Sequence, residues 1–348
     1  MKTLNILLSE ASDFIKAEFN LEIMKSKIKL YSLENWQIFC EANRFDSDSE
    51  GLYVPLSYLA YVHTESPFLI SNIFHELYGH GLFCEYSSIG KQLPKLIKRD
   101  TKEYFFGKNK QTLGIFNQNI ANYEGFAIWL ESLLCTETGN KSIWELKKNH
   151  LPKNHVQAGE VFEDFEKNFS RFGLMSQMGF PKYYDNEKIL EVIKKLYGNS
   201  FNNIESIIIY GSRKPKSDID LFIVSNNPSQ NYFNGWLDIY ELNKTEFYYE
   251  LDNFDISVTD PIFSGKLIYG DNNHLEKIKK NILKKPITKK AISHNLSEAE
   301  KQKHYLKNLN KKDKRRKDCL SYIGSFSKNS RLLSQGIKAL TLKKLMII

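Results

Sequence analysis

Between residues 26 and 62 apolar and polar positions follow one another in short runs. "SKIKLYSL" alternates, "NRFDSDSEG" is polar and turn-rich, and "GLYVPLSYLAYV" resumes an extended aromatic pattern. Such alternation, broken by Gly, Asn, Asp and Ser, reads as strands and turns. From Ser66 the period changes. "SPFLISNIFHELYGHGLF" spaces its apolar residues as a helix does, behind a Ser-Pro pair suited to an N-cap and first helical position. A further helix is predicted from about Asn119 to Thr136, with Gly139 beyond its end.

The segment "GFPKYYDNEK", 179–188, combines Gly, Pro and an Asp-Asn cap and marks a domain boundary. Beyond it "NEKILEVIKKLYG" puts Ile189, Ile193 and Leu196 on one helical face closed by Gly198. "IESIIIY" and "DIDLFIV" read as buried strands, "WLDIYEL" and "FDISVT" as later ones, and from His274 the pattern is helical and basic. The expected fold is a two-domain α+β chain. Helices with a small mixed or antiparallel sheet occupy 1–183, a strand-bearing core 184–275, and a basic helical region packed on that core 276–348.

A length of 348 residues supports that division, because single domains usually run to about 100–200 residues. With 41% apolar and 13% aromatic residues the chain lies far from the composition of disorder. Cys40, Cys84, Cys135 and Cys319 form no C-x-x-C pair, which excludes a disulfide framework or zinc ribbon and makes a reducing cytoplasm the expected setting. Glu10 and Asp13 interrupt the N-terminal apolar run, and no run approaches the roughly 20 residues that span a bilayer. The formal charge of +8 is uneven. From Asp271 onward 21 Lys/Arg face 6 Asp/Glu, a net of +15, which leaves −7 for residues 1–270. The net positive charge thus lies on the helical tail, including "KNLNKKDKRRKD", where it suits nucleotide phosphates or an RNA acceptor. No sequence-specific nucleic-acid reading module accompanies it.

"YGSRKPKSDIDLFIV", Tyr210 to Val224, carries chemistry. Asp218 and Asp220 are two apart on a strand and leave the same face. Paired carboxylates repel unless a cation lies between them, and Mg2+ is the natural one, since it is held by one or two carboxylates plus substrate phosphates. Gly211 lets the backbone turn sharply and approach a phosphate, with Ser212 as donor and Arg213, Lys214 and Lys216 supplying positive charge. Asp255 in "NFDISV" is the expected third carboxylate and Asp238 in "WLDIYEL" the alternative. At these residues the chain resembles the DNA polymerase β-like nucleotidyltransferases. The resemblance covers about residues 186–348 and implies a mixed-sheet α/β nucleotidyltransferase core that transfers a nucleoside monophosphate from an NTP to an RNA, protein or small-molecule acceptor. Only five residues separate Ser212 from Asp218, fewer than that family usually has, so a turn is expected where it has a short helix.

In "FHELYGHG" His75, Glu76 and His80 form H-E-x-x-x-H. In a regular helix positions i and i+5 lie about 140° apart, so the imidazoles converge only if a π-bulge adds a residue to the turn. Gly79 makes that distortion plausible. Catalytic zinc takes three protein ligands, and Glu124 in "NYEGFA" is the expected third, with Glu131 one face-repeat later as support for a ligand; Glu85 is nearer but less apt. Glu76 is the expected general base. The motif resembles that of gluzincin metallopeptidases, in particular dipeptidyl peptidase III, which implies Zn2+, a peptide substrate and an edge strand that holds it. The chain is far shorter than that enzyme and lacks its paired-glutamate second motif. His63, His150, His155, His274, His294 and His304 have no ligand spacing and no expected role.

Together these motifs predict a zinc-dependent peptidase-like domain fused to a Mg2+-dependent nucleotidyltransferase. The alternative is an inactive, antitoxin-like scaffold that binds a partner through both folds.

Overall fold

The computed structural model describes residues 3–43, 49–97, 113–182, 185–310, 313 and 315–347. Most of "NRFDSDSEG", and parts of the 179–188 boundary segment and of the basic run 307–318, lie outside them. The chain is mixed α/β and mostly helical, with a small mixed sheet in each half. Its contacts divide it into two compact units, Met1–Leu196 and Tyr197–Ile348, so the helix after residue 185 goes with the first unit. No helix among the described residues is long and apolar enough to cross a membrane. All four cysteines are buried thiols outside any disulfide.

The first unit opens with α1 (Leu4–Phe19), β1 (Lys27–Tyr31), α2 (Leu33–Asn43), β2 (Gly51–Val54) and β3 (Leu59–His63). The strands form a sheet in the order β1-β3-β2, with β1 and β3 parallel and β2 an antiparallel edge strand. α2 corrects the expectation of strands and turns throughout 26–62. Only Trp36 and Cys40, four positions apart, are buried on it, too few to impose a helical period on the sequence. Phe39 stacks on Tyr61, which holds α2 against the sheet.

After β3 the chain enters α3 (Leu69–Ile73), where the Ser66 hydroxyl accepts from the Phe68 N–H, then a π-helical stretch (Phe74–His80) and α4 (Gly81–Tyr86). α5 (Leu113–Glu137), α6 (Lys141–Lys148), α7 (Lys153–Gln177) and α8 (Asn186–Tyr197) follow. Phe74, Phe83, Phe126 and Trp129 are buried where α5 packs on the π-helical stretch, each contributing about 1.5–3 kcal/mol of hydrophobic stabilisation. Glu85 accepts hydrogen bonds from the backbone N–H groups of Met24, Lys25 and Ser26, fixing the entry to β1.

The second unit contains β4 (Ile204–Tyr210), β5 (Ile219–Ser225), β6 (Gln230–Phe233), β7 (Leu237–Asn243), α9 (Lys244–Asp252), α10 (Ile256–Ser264), β8 (Lys266–Tyr269) and helices α11 (Asn272–Lys284), α12 (Lys289–Asn308), α13 (Arg315–Ser334) and α14 (Leu342–Ile347). The five strands run in the order β6-β7-β5-β4-β8, with β5 and β7 parallel and the other pairs antiparallel. The helical tail is as expected, but "FDISVT" is not a strand: Asp255 N-caps α10 by accepting from the Ser257 N–H. Asn295 and Asn329 donate to the carbonyls of Asn253 and Phe254, tying α12 and α13 to the turn that leads into that cap.

Candidate metal centres

The π-helical stretch contains the expected bulge and brings His75 and His80 together, their ring centroids 4.6 Å apart and their planes at 88°. Glu124 of α5 meets both. Its Oε2 lies 3.4 Å from His75 Nε2 and 3.6 Å from His80 Nε2, and the three donor atoms lie within 4.8 Å of one another. A tetrahedral zinc ion with bonds of about 2.0–2.1 Å sets its donors about 3.3–3.4 Å apart, so the residues fit such an ion with little rearrangement.

Glu131 stands behind His75. It accepts from Nδ1 at 2.9 Å, from Lys147 Nζ at 2.6 Å and from the Ser71 hydroxyl, a second-partner arrangement that turns the Nε2 of His75 towards Glu124. Lys147 has no motif spacing to "HELYGH", and its place here follows from tertiary folding alone.

The electrostatics of the buried group favour added positive charge. Burial opposes the charging of His75, but the hydrogen-bonded Glu124 and Glu131 overcome it and raise the imidazole to about 10. Burial pushes His80 down to about 3, keeping it in the neutral form that metal ligation requires. Glu124, which burial would raise, is held down at about 2 by the imidazoles of His80 and His75. Burial lifts Glu76 to about 7 against the pull of His75, and its Oε2 lies 4.0 Å from His80 Nε2. Three carboxylates, Glu76, Glu124 and Glu131, share this interior with the Lys147 ammonium and a proton held on His75, and a cation bound by His75, His80 and Glu124 would take the place of that proton.

These residues open onto a cleft of about 700 Å³ lined by the edge strand β2, by Phe68, by His150 in the α6–α7 connection and by His155 at the start of α7. Neither histidine has ligand spacing in the sequence, yet His155 also helps to hold the Glu124 carboxyl down.

The second group forms at the open end of the five-stranded sheet. β5 and β7 pair so that Asp220 lies opposite Asp238, while Tyr210 of β4 lies opposite Asp220 on the other side. Asp238, the alternative third carboxylate, therefore joins Asp218 and Asp220 in one cluster. Burial, then Asp218 and Asp238, lift Asp220 to about 7; burial, then Asp218 and Asp318 of α13, raise Asp238.

Asp255 is not brought to this group. Its Oδ2 accepts from His294 Nε2 at 3.1 Å, and Glu250 Oε2 lies 2.7 Å from the same nitrogen. One imidazole nitrogen between two carboxylates at these distances is a hydrogen-bonded ion pair that anchors α12.

Gly211, at φ +70°, turns the chain directly against Asp220. Ser212 Oγ lies 3.0 Å from Ser217 Oγ, and the Ser217 N–H donates to the Lys214 carbonyl, so a turn and not a helix connects Gly211 to Asp218, as the short spacing implied. Arg213, Lys214 and Lys216 are exposed around it.

No protein-family model and no curated protein matches the sequence. Among solved structures, a nucleotidyltransferase-like protein from Exiguobacterium sibiricum is 15% identical with a TM-score of 0.26; the match covers 43% of this chain and 58% of that one.

Proposed function

We propose that the chain carries two metal-dependent centres: a zinc-dependent hydrolytic centre acting on peptide, and a Mg2+-dependent nucleotidyl-transfer centre. The observation that carries the first is the convergence of His75 Nε2 and His80 Nε2 on Glu124 Oε2 at zinc-ligand spacing. Zinc bound there supplies a polarised carbonyl and a water of pKa near about 7. Glu76, lifted by burial to about 7, accepts a proton from the attacking water and returns it to the departing amine nitrogen. The edge strand β2, which lines the cleft, offers its backbone groups to an extended peptide.

The second centre rests on the Asp218, Asp220 and Asp238 cluster with Gly211 pressed against it, and on the resemblance of "YGSRKPKSDID" to the DNA polymerase β-like nucleotidyltransferases. The carboxylates hold Mg2+ while Ser212, Arg213 and Lys216 meet the triphosphate. An acceptor oxygen or nitrogen bonds to the α-phosphorus of the NTP, pyrophosphate leaves and the acceptor's proton goes to a carboxylate. The basic helices of the same unit favour an anionic acceptor such as RNA over a neutral one.

Elemental analysis tests the first centre. About one zinc per chain is expected, lost in His80→Ala and Glu124→Ala, while Glu76→Gln keeps zinc and loses hydrolysis of a quenched-fluorescence peptide mixture. Labelled NTPs with Mg2+ test the second, where Asp218→Ala and Asp238→Asn abolish transfer and Asp255→Asn does not. Purified chain that takes up neither zinc nor any NTP is the inactive scaffold.

A further inference from the structure

The two histidines are held in different ways. His75 is fixed by a hydrogen bond from Nδ1 to Glu131. His80 is more deeply buried, and its Nδ1 has no hydrogen-bond partner among the described residues. Its ring lies instead flat on Tyr123, with centroids 3.8 Å apart and planes at 18°. The tyrosine is itself 6% exposed and braced edge-on by Phe83. Tyr53 approaches His80 at 6.0 Å and 35°, and His75 stands edge-on to it.

We infer that Tyr123 is the positioning residue for His80, acting through its ring face where Glu131 acts on His75 through a hydrogen bond. The inference deepens the zinc reading and rests on it. With no hydrogen bond at Nδ1, nothing polar opposes rotation about χ2 that carries Nε2 away from Glu124; a ring stacked at van der Waals distance does. Tyr123 precedes Glu124 on α5, so one short segment of helix both supplies the third ligand and orients the second. Stacking fixes orientation without adding negative charge. Ligand basicity at His80 is therefore unsupported, in contrast to His75.

Three variants and one measurement on the unaltered chain decide the matter. Zinc affinity, read by competition with a chromogenic chelator at pH 7.4, falls about 10–100-fold in Tyr123→Leu and Tyr123→Met, the range seen when a partner that orients a ligand is lost. Tyr123→Phe, which keeps the ring face, stays within about twofold of the unaltered chain. Cobalt substitution reports geometry independently of any activity: the visible absorption of the tetrahedral ion is kept in Tyr123→Phe and changed in Tyr123→Leu. In the unaltered chain the His80 ring protons are shifted upfield by the tyrosine ring current, a result that needs no variant to fold. Wild-type zinc affinity in folded Tyr123→Leu and Tyr123→Met, an equal loss in Tyr123→Phe, or unshifted His80 protons would each overturn the role given to Tyr123. A chain that binds zinc normally but is indifferent to position 123 defeats this inference alone. One that binds no zinc at all defeats the zinc reading and this inference with it.

Discussion

Gly79 and Ala127 touch backbone to backbone: a Cβ built on Gly79 would stand 2.7 Å from the Cα of Ala127 and 2.8 Å from its Cβ. This contact lets the π-helical stretch and α5 approach closely enough for Glu124 to meet both histidines. Gly79→Ala gains about 1 kcal/mol of helix propensity, but the atoms it meets belong to a helix backbone and cannot swing aside. Overpacking of this kind costs about 1–3 kcal/mol, so a net loss of stability is expected together with weaker zinc uptake. Thermal unfolding and chelator competition measure the two, and a stabilised variant with unchanged zinc affinity contradicts the account.

A second glycine makes a sharper prediction. At Gly211 an added Cβ would lie 2.0 Å from the Asp220 carboxylate, and φ of +70° costs an L-residue about 1–2 kcal/mol. Gly211→Ala is expected to displace Asp220 and abolish Mg2+-dependent NTP binding while the second unit stays folded. Thermal shifts with ATP and Mg2+ follow this directly. Retained binding in a folded variant places the phosphate contacts somewhere other than this turn.

Much of both groups was legible in the sequence because backbone periods are rigid. A spacing of five from His75 to His80 demands a bulge if the rings are to converge, and a spacing of two from Asp218 to Asp220 puts them on one strand face. Asp255 misled for a physical reason. The β-branched "DISVT" favours a strand locally, but Phe254 adopts φ +54°, the aspartate caps α10, and tertiary contacts to His294, Asn295 and Asn329 set the conformation. Asp238 needed the β5–β7 register, which a single strand does not reveal. Lys147, His150 and His155 reach the zinc-type cleft from a helix and a connection far along the chain, and no periodicity marks them.

The Glu131–Lys147 pair separates positioning from charge. Glu131→Gln leaves Lys147 buried without its counter-ion, a loss expected to cost about 3–5 kcal/mol, and loosens His75, lowering zinc affinity about 10–100-fold. Adding Lys147→Met removes the stranded charge. The double variant should recover most of the stability and none of the zinc affinity, a combination that a double-mutant cycle reads out. If both properties return together, Glu131 acts on the fold and not on His75.

The His294 ion pair makes the stability of the second unit depend on alkaline pH. Burial opposes the charge on His294, but Asp255 and Glu250 overcome it and raise the imidazole to about 9. Its unfolded value is near about 6.5, so the folded state binds the proton more tightly than the unfolded chain does. The stabilisation is therefore complete below about pH 6.5 and is lost as pH rises through about 9. Replacing the ring by His294→Gln keeps a donor for Asp255 but removes the titration. Between pH 6.5 and 9.5 the apparent Tm of the second unit's transition should fall more steeply in the unaltered chain than in the variant. Parallel profiles over that interval would mean that His294 is neutral in the folded state and that α12 is anchored by the Asn295 and Asn329 contacts alone.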